Sequence, residues 1–295
     1  MITLAVCALA LNFVSSTDVL EKSFVSAGHR LVYEAAGKGR PIVILAGGPG
    51  LDAEYMRAVF DLAKDQGTAI LFHQWGTGKS PINAKTAISE KTINIRTAVA
   101  DLEALRKNLG VAKLILVGHS WGGMLAQAFA AAHPERTGKL VLLDSGGPDL
   151  KFQHAFSDNL RMRLTDEDLA EMNEASKIED AETRAVAQLV AMAPGYFYSR
   201  KTALKMKAGE FAKLRLNRGI FQPLMKFYDV TPTLGKYKGP SFLIQGRQDP
   251  IDASTAFQIK ALLPQTKLTW IEQCGHFPWI EQPAVFKTAL RKALS

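Results

Sequence analysis

Cysteine is scarce in this chain, which has only Cys7 and Cys274 among its 295 residues. Two cysteines provide neither a disulfide framework nor a C-x-x-C metal pattern, so a packed core must hold the fold together. The sequence also lacks internal repeats, low-complexity tracts and an apolar run of the roughly 20 residues that a membrane-spanning helix needs. These absences exclude a disulfide-rich scaffold and a repeat protein, and we expect no stable membrane insertion. Hydrophobic residues at 47% and charged residues at 22% are typical of a soluble globular protein.

The N-terminus has the composition of a secretory signal. Residues 2–14 form a nearly unbroken apolar run, and Ser15, Ser16 and Asp18 follow it. The run is long enough for the apolar part of a signal peptide and too short to span a bilayer. No lysine or arginine precedes it, so an apolar strand or helix packed on the core is the alternative. We expect residues 1–16 to be a signal peptide and the protein to be secreted or periplasmic; without a signal it would be cytoplasmic.

The formal net charge of +8 is unevenly distributed. Residues 200–238 are rich in lysine and arginine, whereas residues 166–182 are rich in aspartate and glutamate. A basic run can bind nucleic acid or an anionic surface. Here the lysines are scattered through an apolar pattern without a nucleic-acid-binding motif. We therefore expect a solvated helix face and no nucleic-acid partner.

Short, continuous apolar runs rich in valine, isoleucine and leucine recur along the chain. Unbroken runs of this length are typical of strands that helices cover on both faces, as in a parallel sheet. Helical patterns alternate with them, at Ala53–Lys64, Thr92–Asn108 and Met124–Ala132. The predicted strands are Leu31–Tyr33, Ile42–Leu45, Ala69–Phe72, Leu114–Val117, Leu140–Leu143, Phe242–Ile244 and Leu268–Ile271. This alternation predicts an α/β fold with a mostly parallel central sheet flanked by helices.

The alternation stops in the middle of the chain. Between about Leu150 and Gly235 there are only helix-like stretches, and strand signals resume at Pro240. We therefore predict that residues 17–148 and 236–295 form one core and that residues 149–235 form a helical cap inserted into it.

The strongest local motif is Gly118-His119-Ser120-Trp121-Gly122, a G-x-S-x-G sequence between a predicted strand and an alanine-rich helix. This context is that of a nucleophile elbow, in which a tight turn presents the serine above the sheet. The two glycines keep side chains from colliding in the turn. We therefore predict that Ser120 is a nucleophile.

A serine hydroxyl needs a base, and the base needs an orienting acid. His276 follows the last predicted strand, at the sheet edge where Ser120 also emerges, and it is the best placed of the six histidines. Asp249 follows the strand before it, which gives the chain order Ser, Asp, His expected for this arrangement. Asp252 and Asp144 are the alternatives for the acid. We predict a catalytic triad of Ser120, His276 and Asp249.

An oxyanion hole requires two backbone N–H donors near the nucleophile. Trp121 follows the nucleophile and supplies one, and Gly48 in the glycine-rich loop Ala46–Gly50 is the candidate for the other. That loop also matches the dinucleotide pattern G-x-G-x-x-A, but the acidic residue that would hold a ribose is missing after the next strand. We expect neither an organic cofactor nor a metal.

At these residues the chain resembles the prolyl aminopeptidase (proline iminopeptidase) branch of the α/β-hydrolases. The family motifs HGGPG, DQRGxGxS and GxSWG stand here as Ala46–Gly50, His73–Ser80 and Gly118–Gly122. The resemblance implies a serine hydrolase with an inserted cap, with the family triad on Ser120, Asp249 and His276.

Three positions depart from that family pattern. Ala46 replaces a histidine, His73 an aspartate and Trp75 an arginine, in loops expected to frame the pocket. An aminopeptidase must also bind a free amino group, for which Glu171 and Glu174 in the acidic half of the cap are candidates. The resemblance therefore implies hydrolysis of a small-molecule ester or short peptide substrate, by an aminopeptidase or by a carboxylesterase or lactone hydrolase. A non-catalytic binding protein of the same fold is the alternative of another class.

Overall fold

A single eight-stranded sheet runs through the computed structural model, which describes residues 19–295; the predicted signal peptide lies outside this range. The strands are β1 (Leu20–Ser26), β2 (His29–Ala36), β3 (Pro41–Leu45), β4 (Thr68–His73), β5 (Leu114–His119), β6 (Thr137–Leu143), β7 (Ser241–Gly246) and β8 (Lys267–Ile271). Their order in the sheet is β1-β2-β4-β3-β5-β6-β7-β8. The pairs β1–β2 and β2–β4 are antiparallel and all the others are parallel. The predicted mostly parallel α/β sheet is confirmed.

Helices cover both faces of this sheet. The α-helices are α1 (Arg57–Ala63), α2 (Ile95–Asn108), α3 (Trp121–Ala132), α4 (Phe152–Arg161), α5 (Asp166–Ser176), α6 (Ala181–Ala191), α7 (Ala193–Tyr196), α8 (Arg200–Ala208), α9 (Phe221–Met225), α10 (Thr231–Leu234), α11 (Ala253–Leu262), α12 (Pro278–Glu281) and α13 (Pro283–Leu294). Short 3-10 helices lie at Ala53–Met56, Pro134–Arg136, Phe211–Lys213 and Arg218–Ile220.

The central strands contain continuous apolar runs because each face of the sheet has its own core. In β3, Val43 and Leu45 pack in the cluster that includes Leu102 of α2 and Phe129 of α3. The alternate residues of the same strand pack on the opposite face, in the cluster that includes residues of α1 and α13. Successive side chains of a strand point to opposite faces, so burial on both sides requires an unbroken apolar run.

Strand β1 is absent from the sequence-based prediction. Its sequence LEKSFVS is exposed at most positions and is buried only at Phe24 and Ser26. It is an edge strand that pairs with β2 alone, through a turn at Ala27 and Gly28 where both residues have positive φ. A half-exposed edge strand needs no continuous apolar run, so the criterion that found the central strands could not find it.

Between β6 and β7 the described chain contains only helices, from α4 to α10, apart from an isolated bridge of Leu216 with Leu51. The acidic helix α5 and the basic helix α8 lie side by side, where Arg200 donates to Asp168 at 2.6 Å and Lys207 pairs with Glu171. The oppositely charged runs of this helical segment, which we call the cap, thus neutralise each other in part. The exact limits of a cap at 149–235 stay a prediction. None of the helices described has both the length and the apolar character needed to cross a bilayer.

Candidate active site

The turn from β5 into α3 has the strained geometry of a nucleophile elbow. Ser120 has φ 53° and ψ −119°, a region that residues with a side chain rarely occupy. A Cβ on Gly118 would lie 2.3 Å from the carbonyl oxygen of Gly122, and one on Gly122 would lie 2.2 Å from that of Leu45. Only glycine fits at either position, and Ser120 stands half-buried at the floor of a cavity.

His276 is hydrogen-bonded to Asp249 and lines the same cavity as Ser120. Asp249 Oδ1 lies 2.9 Å from His276 Nδ1 and accepts a second hydrogen bond from the backbone N–H of Ile251 at 3.0 Å. With Nδ1 committed to the carboxylate, Nε2 is the ring nitrogen left for Ser120, which lines the same cavity as the imidazole. Burial lowers the pKa of His276 to about 3, so the ring is neutral and has a lone pair for the serine proton.

A buried hydrogen-bond chain fixes the backbone of the histidine loop. His119 Nε2 lies 2.9 Å from the carbonyl oxygen of His276, to which it must donate, so its Nδ1 is the acceptor for the Tyr55 hydroxyl at 2.9 Å. Burial lowers the pKa of His119 well below its usual value, which keeps it neutral. The Tyr55 oxygen accepts the N–H of Gly47 at 2.5 Å. The elbow, the histidine loop and the glycine-rich loop are thereby connected.

Two amide groups near Ser120 are available to an oxyanion. Within residues 19–295, the N–H groups of Gly48 and Trp121 have no acceptor in the protein, and both residues line the cavity. Gly48 has φ 117°, and a Cβ there would lie 2.6 Å from the amide nitrogen of Gly50. The neighbouring Gly47 amide is bonded to Tyr55 and is therefore not available to a ligand.

Gln74 connects these two donor segments. Its Nε2 donates to the carbonyl oxygen of Ala46 at 2.8 Å, and its Oε1 accepts from Trp121 Nε1 at 3.0 Å. The side chain is buried, so both bonds form away from water. Gln74 therefore sets the distance between the glycine-rich loop and the elbow.

The cap contacts the core directly at the histidine loop. The N–H of His276 donates to the carbonyl oxygen of Tyr196 in α7 at 2.8 Å. Glu281 accepts from the N–H of Gly275 at 2.6 Å and from that of Ser199, which precedes α8, at 2.8 Å. One carboxylate thus joins the histidine loop to the cap.

The cavity between core and cap has a volume of about 420 Å³ and a largely apolar lining. The apolar and aromatic side chains of its lining, most of them from the segment between β6 and β7, are those of Met124, Phe152, Phe156, Leu160, Leu189, Met192, Tyr196, Phe211, Leu214, Leu216, Phe221, Met225, Ile251 and Phe277. No aspartate or glutamate is among the described residues of the lining, and the permanently charged side chain there is Arg218. This volume is typical of a site for a small organic ligand.

The candidate cap carboxylates do not face this cavity. Glu171 pairs with Lys207, and Glu174 pairs with Lys177 at 2.7 Å, and both carboxylates lie at the surface. The suggestion that one of them binds a substrate amino group is therefore not supported by their positions.

The alternative acids are bound elsewhere. Asp252 caps α11 through the N–H of Ser254 at 3.0 Å. Asp144 lies directly after β6 and accepts from the N–H of Gly246 at 2.7 Å. The carboxylate hydrogen-bonded to His276 is that of Asp249.

Two of the three positions that depart from the family pattern contact the hairpin β1–β2 rather than the cavity. His73 lies 3.2 Å from Glu34, and Trp75 stacks on His29 with ring centroids 3.8 Å apart. His73, Glu34 and Glu54 also form a cluster of potential metal ligands. Arg57 donates to both carboxylates of that cluster, so a side-chain cation already neutralises it.

His119, Tyr55 and Gln74 support the site but were not identified from sequence. His119 is the variable position of the elbow motif, and its partner His276 is 157 residues away. Tyr55 belongs to no motif, and Gln74 lies in the family motif His73–Ser80 but has no role assigned from the sequence. Only the contacts of the folded chain identify them.

Comparison with known proteins agrees with this architecture. Residues 40–283 match the family model described as alpha/beta hydrolase fold. A proline iminopeptidase from Xylella fastidiosa (strain 9a5c) is 42% identical over 121 residues, which are 40% of this chain and 37% of that protein. A proline iminopeptidase from Lactobacillus helveticus (strain DPC 4571) is 26% identical over 304 residues, covering 94% of this chain and 98% of that one. An alpha/beta fold family hydrolase from Bacillus anthracis str. Sterne superposes with a TM-score of 0.72 and 20% identity, covering 93% and 99% of the chains.

Proposed function

The chain belongs to the alpha/beta hydrolase fold family and is a hydrolase, and we propose that it cleaves esters or amides with apolar acyl groups through a serine acyl-enzyme. The observation that carries this proposal is the hydrogen bond between His276 and Asp249, with His276 lining the same cavity as Ser120.

In the proposed mechanism, His276 Nε2 takes the proton of Ser120 as the serine oxygen attacks the substrate carbonyl carbon. The carbonyl oxygen becomes an oxyanion, which accepts the N–H groups of Trp121 and Gly48. The imidazolium then gives its proton to the leaving alcohol or amine as the bond to it breaks. Water repeats the sequence on the acyl-enzyme, and Ser120 recovers its proton when the acid leaves.

The apolar lining of the cavity supports an uncharged substrate group. An aminopeptidase must hold a free ammonium group, and a buried cation needs a carboxylate partner. The described lining offers none, and the guanidinium of Arg218 would repel an ammonium group. An ester or lactone of an apolar acid has no ammonium group, so it needs no carboxylate partner and is not repelled by Arg218.

A prolyl aminopeptidase is the second candidate, and the sequence relatives favour it. The proline iminopeptidase from Lactobacillus helveticus aligns over almost the entire length of both chains. Its identity of 26% supports a common fold and a shared hydrolytic centre more strongly than a shared substrate.

Labelling with a fluorophosphonate tests the nucleophile. The protein should be labelled covalently, and Ser120→Ala should abolish labelling and reduce kcat by about 10⁶. Ser145→Ala, also at the end of a central strand but without exposure to the cavity, is the matched control and should still be labelled. Labelling of Ser120→Ala would refute the assignment.

Substrate profiling separates the two candidates. p-Nitrophenyl esters of increasing acyl length are compared with the p-nitroanilides of proline and alanine. Hydrolysis of the esters with little turnover of the anilides would support the esterase. Efficient release of N-terminal proline would instead establish the aminopeptidase.

A further inference from the structure

Asp144 is a buried acid for which the mechanism above has no role. It follows β6 directly, has no exposed surface and adopts φ 42°. The left-handed region is unfavourable for an aspartate, and a buried carboxyl group is unfavourable unless its oxygens are satisfied. A residue that combines both conditions at the edge of an active site is a candidate for a functional role.

The hydrogen bonds around Asp144 leave one oxygen without a donor. Its Oδ1 accepts from the N–H of Gly246 at 2.7 Å, while its Oδ2 is buried and has no partner among the described residues. Asp249 has the same pattern. Its Oδ1 accepts from His276 and Ile251, and its Oδ2 is buried with no donor in the described part of the chain.

Both residues contact Gly246, at the end of β7 beside β6: its N–H donates to Asp144, and its carbonyl oxygen accepts the N–H of Asp249 at 3.2 Å. Their carboxyl groups are close enough for each to change the pKa of the other. Two ionised carboxylates offer four acceptor oxygens and no donor, so they cannot bond to each other and they repel. A single proton shared by the pair supplies the missing donor, as in other paired carboxyl groups that cannot both ionise.

The surroundings decide which residue keeps that proton. Burial raises the pKa of Asp144 well above its usual value, and the charge of Asp249 raises it further. Burial raises the pKa of Asp249 as well, but the hydrogen bonds from Ile251 and Asp144 lower it. Asp249 Oδ1 accepts two hydrogen bonds, from His276 and Ile251, whereas Asp144 Oδ1 accepts one, so the negative charge is better stabilised on Asp249 and Asp144 keeps the shared proton.

Building on the proposed function, we propose that Asp144 is a positioning residue that keeps a proton during turnover and donates it in a hydrogen bond to Asp249 Oδ2. This bond occupies the second oxygen of Asp249 and holds the first against His276 Nδ1. The proton of Asp144 is not transferred. The pair carries one negative charge throughout, and His276 alone exchanges protons with Ser120 and the leaving group.

The hydrogen bond is present below the pKa of Asp144 and is lost as the pH rises through it. Above that pH, two adjacent negative charges repel and Asp249 loses its second anchor, so kcat falls. The other titratable or charged groups around the pair are Arg163, Tyr196, Asp252, Cys274, His276 and Glu281. They are unchanged in a variant of Asp144, so a comparison of pH profiles isolates its contribution.

Asp144→Asn is the central test, because the amide has the same shape, can donate from Nδ2 to Asp249 and cannot ionise. It should retain most of kcat at neutral pH and lose the alkaline decline of the wild type. Asp144→Leu has no donor, and kcat should fall by about tenfold to a hundredfold. Asp149→Asn is the matched control, since this buried acid after the same strand bonds to Gln258 rather than to the pair. It should leave the pH profile unchanged.

Infrared difference spectroscopy tests the proton without measuring activity. The wild type should show at neutral pH the carbonyl stretch of a protonated, buried carboxyl group, and Asp144→Asn should lack it. Persistence of the band in Asp144→Asn, or an activity loss as large as that of Asp144→Leu, would overturn the proposal. If the wild type fails to react with a fluorophosphonate while the band behaves as expected, the proposed hydrolysis is wrong and the carboxyl pair stands.

Discussion

The strand ends of the core and the inner surface of the cap contribute to the same cavity in different ways. At the strand ends polar side chains form directional hydrogen bonds, as in the bonds of His276 to Asp249 and of His119 to the His276 carbonyl. The cap contributes mainly apolar side chains, such as Phe156 and Leu189, whose packing is not directional. We therefore expect the core to determine the chemistry and the cap to determine the shape of the substrate.

This difference also explains why fewer residue types are tolerated at the strand ends of the core than in the cap. A strained serine or a carboxylate at 2.9 Å from an imidazole tolerates few residue types. An apolar wall tolerates many, because volume and hydrophobicity can be conserved by different side chains. The motifs accordingly lie in the core, and the cap has none that identifies a substrate.

After removal of the nucleophile itself, the largest effect is expected from Asp249→Asn, which tests whether the strand ends of the core control the chemistry. An asparagine that offers its N–H₂ to His276 Nδ1 would favour the wrong imidazole tautomer. We expect kcat to fall by about 10⁴, with the fold intact by circular dichroism. Asp252→Asn is the control three residues away, where asparagine still caps α11.

A kcat of Asp249→Asn close to that of the wild type would show that another carboxylate orients the histidine. Asp144, the alternative acid at the adjacent strand end, would then be the first residue to test. In that case Asp144 would be the acid that orients His276, and the roles proposed for Asp144 and Asp249 would have to be exchanged.

Much of the core could be predicted from the sequence, because its determinants are local. The elbow is a five-residue motif between a strand and a helix, and Asp249 and His276 each follow a recognisable strand. Their roles in catalysis stay a proposal. The sequence favours Asp249 but leaves Asp144 as an alternative, because both follow strands that lie side by side and only the folded chain decides which carboxylate reaches the imidazole.

The supporting residues could not be predicted, because their function depends on distant contacts. Gln74 bonds to Ala46 and to Trp121, which lie 28 and 47 residues away. No local pattern encodes such a bridge. The cap presents a similar limit, since helical periodicity indicates which residues are apolar but not which of them face the substrate.

A smaller effect is expected from Gln74→Met, which removes both bonds while nearly keeping the volume. The glycine-rich loop and the elbow should shift relative to each other, and displacement of an oxyanion donor acts on the transition state. We expect kcat to fall by about 10² with KM nearly unchanged. Gln66→Met, at a half-buried position whose side chain makes only a weak bond to a neighbouring carbonyl, is the control.

Gln74 could instead contribute only to stability. The variant would then have a lower melting temperature because the buried Trp121 Nε1 loses its acceptor, at a cost of about 1–3 kcal/mol. Its kcat, measured well below that temperature and corrected for the folded fraction, would equal that of the wild type. That result would show that Gln74 stabilises the fold but does not position the oxyanion donors.

The smallest effect is expected from the cap, where Phe156→Ala tests whether this region selects the substrate without affecting the chemistry. The ring of Phe156 lines the cavity beside Tyr196, with centroids 6.0 Å apart, so its loss enlarges the space for an acyl group. We expect the ratio of kcat/KM for long over short acyl esters to rise by about tenfold. Phe227→Ala, which removes an exposed ring of the cap outside the cavity, should leave the ratio unchanged. The fluorophosphonate, which is small, should label Phe156→Ala at the wild-type rate, because the core edge is unaltered. A large loss of labelling would show that Phe156 also affects the reaction at Ser120, which would contradict the separate roles expected for cap and core.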